Sequence, residues 1–282
     1  MQENEIKLGL EKRWRAIWIS DIHLGTAGCN AQLLLDFLKA HESDVLYLVG
    51  DIFDGWRLKR RWYWPQTHND VVQKILRKVR KGTHVIFIPG NHDEFLRDYI
   101  GVNFGGIQIY QDFVHVTADG KRLLVLHGDE FDGVVRYHKW LAHLGAASYD
   151  LMIVINRWFN ATRRMLGLPY WSLSAYIKRQ VKEAVKFITD FEEAVIAEAA
   201  LRNADGAVCG HIHSPQMRTI NGLLYCNDGD WVETCSALVE DFDGKMYIAR
   251  YSNNQWLYLN SEQLGSFKPA SNTPGITSMT AR

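Results

Sequence analysis

Cysteine is scarce and scattered. The four cysteines, Cys29, Cys209, Cys226 and Cys235, have no CxxC spacing, which argues against a zinc ribbon and for reduced, structural thiols in a cytosolic protein. No apolar run approaches the roughly 18 residues that a membrane span requires. The opening MQENEIKLGLEKRWR lacks the long apolar core of a signal peptide. Net charge is missing too: Lys plus Arg and Asp plus Glu both number 32, so no global field draws the chain to nucleic acid. No internal repeat is apparent. What the chain has is length and apolar content. Its 282 residues are 47% hydrophobic, enough to bury a real core, and several of its ten Trp and twelve Tyr sit beside Arg or Lys.

Five short apolar runs each end in a polar cluster. Ala16-Ile17-Trp18-Ile19 leads into Ser20-Asp21-Ile22-His23, and Val45 to Val49 into Gly50-Asp51. His84 to Ile88 leads into Pro89-Gly90-Asn91-His92-Asp93, Leu123 to Leu126 into His127-Gly128-Asp129, and Ala207-Val208-Cys209 into Gly210-His211-Ile212-His213. Continuous runs of this length suit strands covered on both faces. Helical patterns at Asn30 to His41 and Asn69 to Arg80 separate the first three, so parallel pairing with right-handed crossovers follows. Later turn signals at Ala118-Asp119-Gly120, Asn221-Gly222 and Asp243-Gly244 predict hairpins. Residues of about 131–202 break the rhythm and read as helices near 134–144, 149–166 and 174–202, the last with apolar spacing at Val181, Val185, Ile188, Val195 and Ile196. We expect one domain over 1–261 that includes this insertion. The stretch 262–282, rich in Ser, Thr, Pro and Gly, reads as a disordered tail.

In open α/β sheets, sites form where loops converge at the carboxyl ends of strands. The five strand ends gather carboxylates, imidazoles and one amide, a donor set that suits Mn, Fe, Zn or Co better than Mg or Ca. Taken singly, Asp21 with His23 is a loop pair, Asn91-His92 a turn and His127 a strand cap; their coincidence at successive strand ends is what points to a metal centre. His41, His68, His84, His115, His138 and His143 lack such context and read as structural or surface residues. Asp129 is a source of supporting hydrogen bonds, while Glu130 and Asp132 read as a solvated turn.

In this order, DIH, GDIFD, GNHD, HGD and GHIH, spread over residues 21 to 213, resemble the calcineurin-like metallophosphoesterases. The resemblance implies an α/β fold of the four-layer αββα kind: two mixed sheets flanked by helices, with the helical insertion as a lid. It implies two divalent ions, manganese foremost with iron or zinc as alternatives. Asp21, His23, Asp51 and His213 would hold one; Asp51, Asn91, His127 and His211 would hold the other, with Asp51 bridging. Two divalent ions outweigh two carboxylates and a bridging hydroxide, so the centre stays cationic. It could then clamp a phosphoryl group while the hydroxide attacks phosphorus. A regular strand would point His211 and His213 to one face, so an irregular segment after Cys209 must part them. His92 takes the place of a histidine near the scissile phosphate. Asp54, the last residue of GDIFD, is expected to accept a hydrogen bond from it and fix its tautomer.

Arg57 to Trp64 follows the Asp51 block and offers Arg57 and Arg60 to an anionic substrate; a solvated basic loop is the bland alternative. The insertion adds Arg163, Arg164, Lys178 and Lys182 among aromatic and apolar residues, a mixture suited to an anionic lipid or bilayer interface or to an ordinary helix pair with a basic outer face. With Gly229-Asp230-Trp231 late in the chain, this is most similar to the UDP-2,3-diacylglucosamine pyrophosphohydrolases of the lipid A pathway. Their action implies release of UMP and 2,3-diacylglucosamine 1-phosphate at the inner membrane face. Position 92 is His where that family typically has Arg, and Glu130-Phe131-Asp132-Gly133 replaces its Cys-containing stretch. A soluble nucleotide or small phosphodiester or phosphomonoester hydrolase therefore stands as the alternative, and a non-catalytic binding module as a third. The expected partner is a phosphorylated small-molecule or lipid substrate. The expected location is the cytoplasm, peripherally on the inner membrane in the lipid reading, with no nucleic acid and no protein partner.

Overall fold

Alternate residues of each long strand face opposite ways, and here both faces are apolar. The computed structural model describes residues 12–133 and 173–266. One mixed sheet runs β13-β12-β11-β1-β2-β3-β5-β4. Its centre is β1 (Lys12–Ile19), β2 (His41–Val49) and β3 (His84–Ile88), followed on one side by β5 (Ile107–Ile109) and the edge strand β4 (Asn103–Phe104). The strands β1, β2, β3 and β5 are parallel, and β11 (Ser236–Glu240) joins β1 antiparallel, carrying β12 (Met246–Ser252) and β13 (Gln255–Leu259) beyond it. The second sheet runs β6-β7-β8-β10-β9, built from β6 (Phe113–Val116), β7 (Arg122–Val125), β8 (Gly206–Cys209), β9 (Gln216–Ile220) and β10 (Leu223–Asn227).

Three apolar layers hold these sheets. Ile17, Ile19, Leu46, Leu48, Val85 and Phe87 face helices α1 (Ala31–Ala40) and α3 (Gln66–Arg80), meeting Leu34, Phe37, Leu38, Val71 and Ile75. The alternate residues Ala16, Trp18, Tyr47, Val49, Ile86 and Ile88 face the second sheet and meet Leu123, Val125, Val208 and Cys226. The reverse side of that sheet, Leu124, Leu126, Ala207, Cys209 and Tyr225, meets Phe191, Val195, Ile196 and Ala199 of α4 (Leu173–Leu201). Helix, sheet, sheet, helix is the expected four-layer order. Among the described residues no helix is long and apolar enough to cross a membrane.

The expected elements need two corrections. Among the described side chains of α4, Val185 is exposed although its apolar spacing placed it on the buried stripe, Ile188 is half-buried, and Phe191, Val195 and Ile196 are buried. Order continues past residue 261: α5 (Ser261–Ser266) is closed by a capping box, with Gln263 N–H donating to Asn260 Oδ1 and Asn260 N–H to Gln263 Oε1, and Leu264 packs on the inter-sheet core. Between β7 and α4 the one described element is the short 3-10 turn Asp129–Gly133; the helices expected near 134–144 and 149–166, with His138, His143, Arg163 and Arg164, lie outside the described residues. The three expected hairpin turns all join antiparallel pairs, and Asn221 and Gly222 take φ of 51° and 84°, as a two-residue turn of the primed type requires.

His41 is buried, as expected of a structural residue. Its Nδ1 donates to Phe37 O at 2.8 Å and its Nε2 accepts from Tyr258 at 2.5 Å. Burial outweighs the Phe37 bond and holds its pKa down to about 4. The native state therefore resists protonation more than the unfolded chain does. The stability so gained is complete above about pH 6.5 and lost as pH falls through about 4, a swing of about 3 kcal/mol. Urea denaturation at pH 7 and pH 4 should show a loss smaller by about that amount in His41→Leu; equal losses in the two proteins would contradict it.

Candidate metal centre

The site lies beyond the carboxyl ends of β1, β2, β3, β7 and β8. The turns after β1 and β2 prolong the parallel pairing: Asp21 N–H donates to Gly50 O and His23 N–H to Asp51 O, at 3.0 and 2.9 Å. Asp21, His23 and Asp51 all take left-handed backbone, with φ of 50°, 54° and 54°, a region that Asp, Asn and His enter more readily than most residues. Gly50, φ 77°, admits no side chain, since a Cβ would lie 2.2 Å from His127 Nδ1. His127 Nδ1 donates to Val49 O at 2.8 Å, which turns its Nε2 to within 3.5 Å of Asp51 Oδ1. The other oxygen, Asp51 Oδ2, lies 3.9 Å from His23 Nε2. One buried carboxylate thus faces imidazoles on both sides.

The segment after β8 is irregular, as the spacing of its histidines required. His211 and His213 have φ of 70° and 54° and diverge: His213 Nε2 sits 2.8 Å from Asp21 Oδ1, while His211 groups with Asp51 and His127. Ligand atoms of Asp21, His23 and His213 fall within 4.8 Å of one another, and so do those of Asp51, His127 and His211. A third such group is His23, Asp54 and His92. Asp54 Oδ1 lies 3.2 Å from His92 Nδ1 and its Oδ2 lies 3.6 Å from His23 Nδ1. The carboxylate expected to face His92 is shared with His23.

The donor chemistry fits metal ions. Asn91 Oδ1 and His127 Nε2 are buried and lack a hydrogen-bond partner among the described residues, a costly state unless a cation completes it. Burial alone would lower the His23 pKa, yet bonds to Asp21 and Asp54 raise it to about 10. Burial alone would raise Asp51, yet His127 holds it down to about 2. These carboxylates collect positive charge, and a divalent ion satisfies the same demand by displacing the imidazole protons.

Several supporting groups left little trace in the sequence. Asp93, fully buried, accepts N–H groups from Ile52, Phe53 and Gly90 at 2.8, 3.2 and 2.7 Å, and so moulds the turn that carries Asp51. Burial, then the Asp51 charge, push its carboxyl up to about 6. Ser20 Oγ lies 2.7 Å from Asp21 Oδ2 and 2.6 Å from Asp228 Oδ1. A hydroxyl has one proton to give, so a protonated Asp228 completes the chain, in keeping with burial, which pushes that carboxyl well up. Asp132 is not merely a solvated turn: its Oδ1 meets His211 Nε2 at 2.6 Å. Asp129 forms a bidentate pair with Arg97, whose side chain also donates to Pro89 O, tying the β3 and β7 turns together.

Arg57 and Arg60 are exposed on α2 (Gly55–Arg60), the helix that Asp54 caps by accepting Arg57 N–H at 2.8 Å. Lys178 and Lys182 belong to α4, but their side chains lie outside the described residues. His68 accepts the Gly25 N–H, and His115 binds Tyr47 and Glu240, so both are structural.

Residues 15–215 match the calcineurin-like phosphoesterase family. A UDP-2,3-diacylglucosamine hydrolase of Xanthomonas campestris pv. campestris is 28% identical over 242 residues, 81% of this chain and 96% of that protein. A protein of the same name from Neisseria meningitidis serogroup A is 27% identical over 245 residues, covering 83% and 97%. Among solved structures, the Escherichia coli phosphoesterase YfcE is 14% identical, with a TM-score of 0.41 over 87% of this chain and 98% of that one.

Proposed function

Because the chain belongs to the calcineurin-like phosphoesterase family, a family of metal-dependent hydrolases, we propose that Asp21, His23, Asp51 and His213 hold one divalent ion and Asp51, Asn91, His127 and His211 a second. Manganese is the favoured metal, with iron or zinc as alternatives. The observation that carries this reading is Asp51, whose two oxygens face His127 on one side and His23 on the other. When bound, two such ions supply Lewis-acid neutralisation of phosphoryl oxygens and lower the pKa of an attacking water.

The chain's own groups then divide the work. Asp21 and Asp51 set the charge that attracts the ions. The His127 bond to Val49 O and the His211 bond to Asp132 orient two imidazoles before any ion arrives. His92 has its Nε2 3.9 Å from Asp51 Oδ2 and its Nδ1 toward Asp54. It is placed to hydrogen-bond the phosphoryl group or to give a proton to the departing oxygen. Asp54, held low because its interactions with His23 and His92 outweigh burial, stays anionic and faces the Nδ1 side of His92, which leaves Nε2 turned to the centre. His92→Ala should lower kcat about a hundredfold, the low end for a proton-transfer group; near-normal turnover would remove the role.

The proposed substrate is UDP-2,3-diacylglucosamine, cleaved at its pyrophosphate to UMP and 2,3-diacylglucosamine 1-phosphate. The relatives that bear that name and span most of the chain support it. Arg57 and Arg60, exposed on the helix beside Asp54, are the described candidates for its anionic groups, with Arg163, Arg164, Lys178 and Lys182 proposed alongside them. The same basic residues would favour a cytoplasmic location at the inner membrane surface. A second reading, a hydrolase of soluble nucleotides or small phosphoesters, is favoured by His at position 92. Parallel assays of UDP-2,3-diacylglucosamine and bis(p-nitrophenyl) phosphate with Mn²⁺ separate them. We expect kcat/KM for the lipid-linked substrate to be higher by at least about a thousandfold, the discrimination available when a site binds groups a truncated substrate lacks. Turnover of the soluble diester alone would sink the lipid reading.

A further inference from the structure

We propose that Trp56 is a positioning residue for His92, an inference that rests on the role given to His92 above. The first turn of α2 is drawn against the His92 backbone: Gly55 N–H donates to His92 O at 3.0 Å. A Cβ on residue 55 would lie 2.8 Å from that oxygen, so only glycine allows the approach. The next residue, Trp56, therefore lands over the imidazole, with ring centroids 4.2 Å apart and planes 36° from parallel. The indole is anchored at its far end, where Nε1 donates to Glu94 Oε1 at 3.5 Å.

His92 is then held from three directions. Trp56 covers a face, the His23 ring meets it nearly edge-on at 4.6 Å and 86°, and Asp54 Oδ1 stands 3.2 Å from Nδ1. The direction left is that of Nε2, toward Asp51 and the centre. Two contacts do not fix a ring against tilting out of its plane; a flat wall does. Trp56 is 45% exposed, far more than a core tryptophan, so its placement adds less to stability than a buried ring would. It fits a wall at the mouth of the site.

A double-mutant cycle tests this. In the full-length protein with Mn²⁺, using whichever substrate the parallel assays show to be turned over, Trp56→Leu should lower kcat about tenfold with KM nearly unchanged, and Trp56→Phe, which restores a flat ring, should recover most of it. In a His92→Ala background the same Trp56→Leu change should cost less than about twofold, because residues in contact are energetically coupled. An equal loss in both backgrounds, or a loss confined to KM, would overturn the proposal and assign Trp56 to substrate contact or to folding. If His92→Ala alone is harmless, the role of His92 fails, and this inference fails with it.

Discussion

Asp51→Asn is expected to lower kcat/KM by about three orders of magnitude and to leave the purified protein short of metal. The argument is geometric. Asp51 is buried, with Oδ1 3.5 Å from His127 Nε2 and Oδ2 3.9 Å from His23 Nε2, so it is the one side chain proposed to serve both ions. Asparagine keeps the shape but replaces an anionic oxygen with an N–H₂ donor that points at cationic neighbours. A metal pair contributes several kcal/mol of charge stabilisation, and each 1.36 kcal/mol is tenfold in rate. The fold should survive, because the N–H groups of residues 51 to 53 are bound by Asp93, and the asparagine keeps a carbonyl oxygen for the His92 N–H that Asp51 Oδ1 accepts at 2.8 Å. Metal analysis beside steady-state kinetics checks it. Full activity with two ions per chain would remove Asp51 from the bridging position.

The second large effect concerns stability. Trp18→Ala should cost about 3–5 kcal/mol, the range for emptying a buried aromatic site. Trp18 is 0% exposed. Its ring stacks on Tyr47 at 5.2 Å, nearly parallel, and meets the edge of His115 at 4.9 Å. These rings fill the space between the two sheets. Helices lie on the outer faces and cannot collapse into the gap. Trp18→Phe, which retains most of the volume, should lose well under half as much. Denaturant titration reads both; a loss below about 1 kcal/mol for alanine would show that the sheets close without this ring. Because β1 ends two residues before Asp21 and β2 two residues before Asp51, slack between the sheets also spreads the ligands.

Much of this was legible in the sequence because strands covered on both faces must be apolar without a break, and such runs are conspicuous. The strands that escaped notice are short or exposed. β4 and β5 span two and three residues, and β13 follows an Asn253-Asn254 turn, left-handed at 50° and 61°, a weaker signal than Asn-Gly. The α5 helix had its sign in Asn260 and Gln263, a capping pair hidden in a polar stretch. Six of the seven expected ligands fall into two groups, Asp21 with His23 and His213 and Asp51 with His127 and His211, and the seventh, Asn91, has a buried Oδ1 with no hydrogen-bond partner among the described residues. The residues that support them were hidden for another reason. Asp132 and His211 are 79 positions apart, and nothing local marks an acidic turn as the one that bends back to an imidazole. Asp93 looked like the tail of a motif, whereas its work is to bind the backbone of a different loop.

Asp21, His23, Asp51, His211 and His213 all sit in left-handed backbone, at about 1 kcal/mol each for residues other than glycine. Glycine at any of them would relax the main chain while deleting a proposed ligand. Each of these side chains also faces a charged neighbour that its removal would leave unpaired, a larger loss than the strain relieved, so a library built to harden this enzyme should keep those five codons fixed.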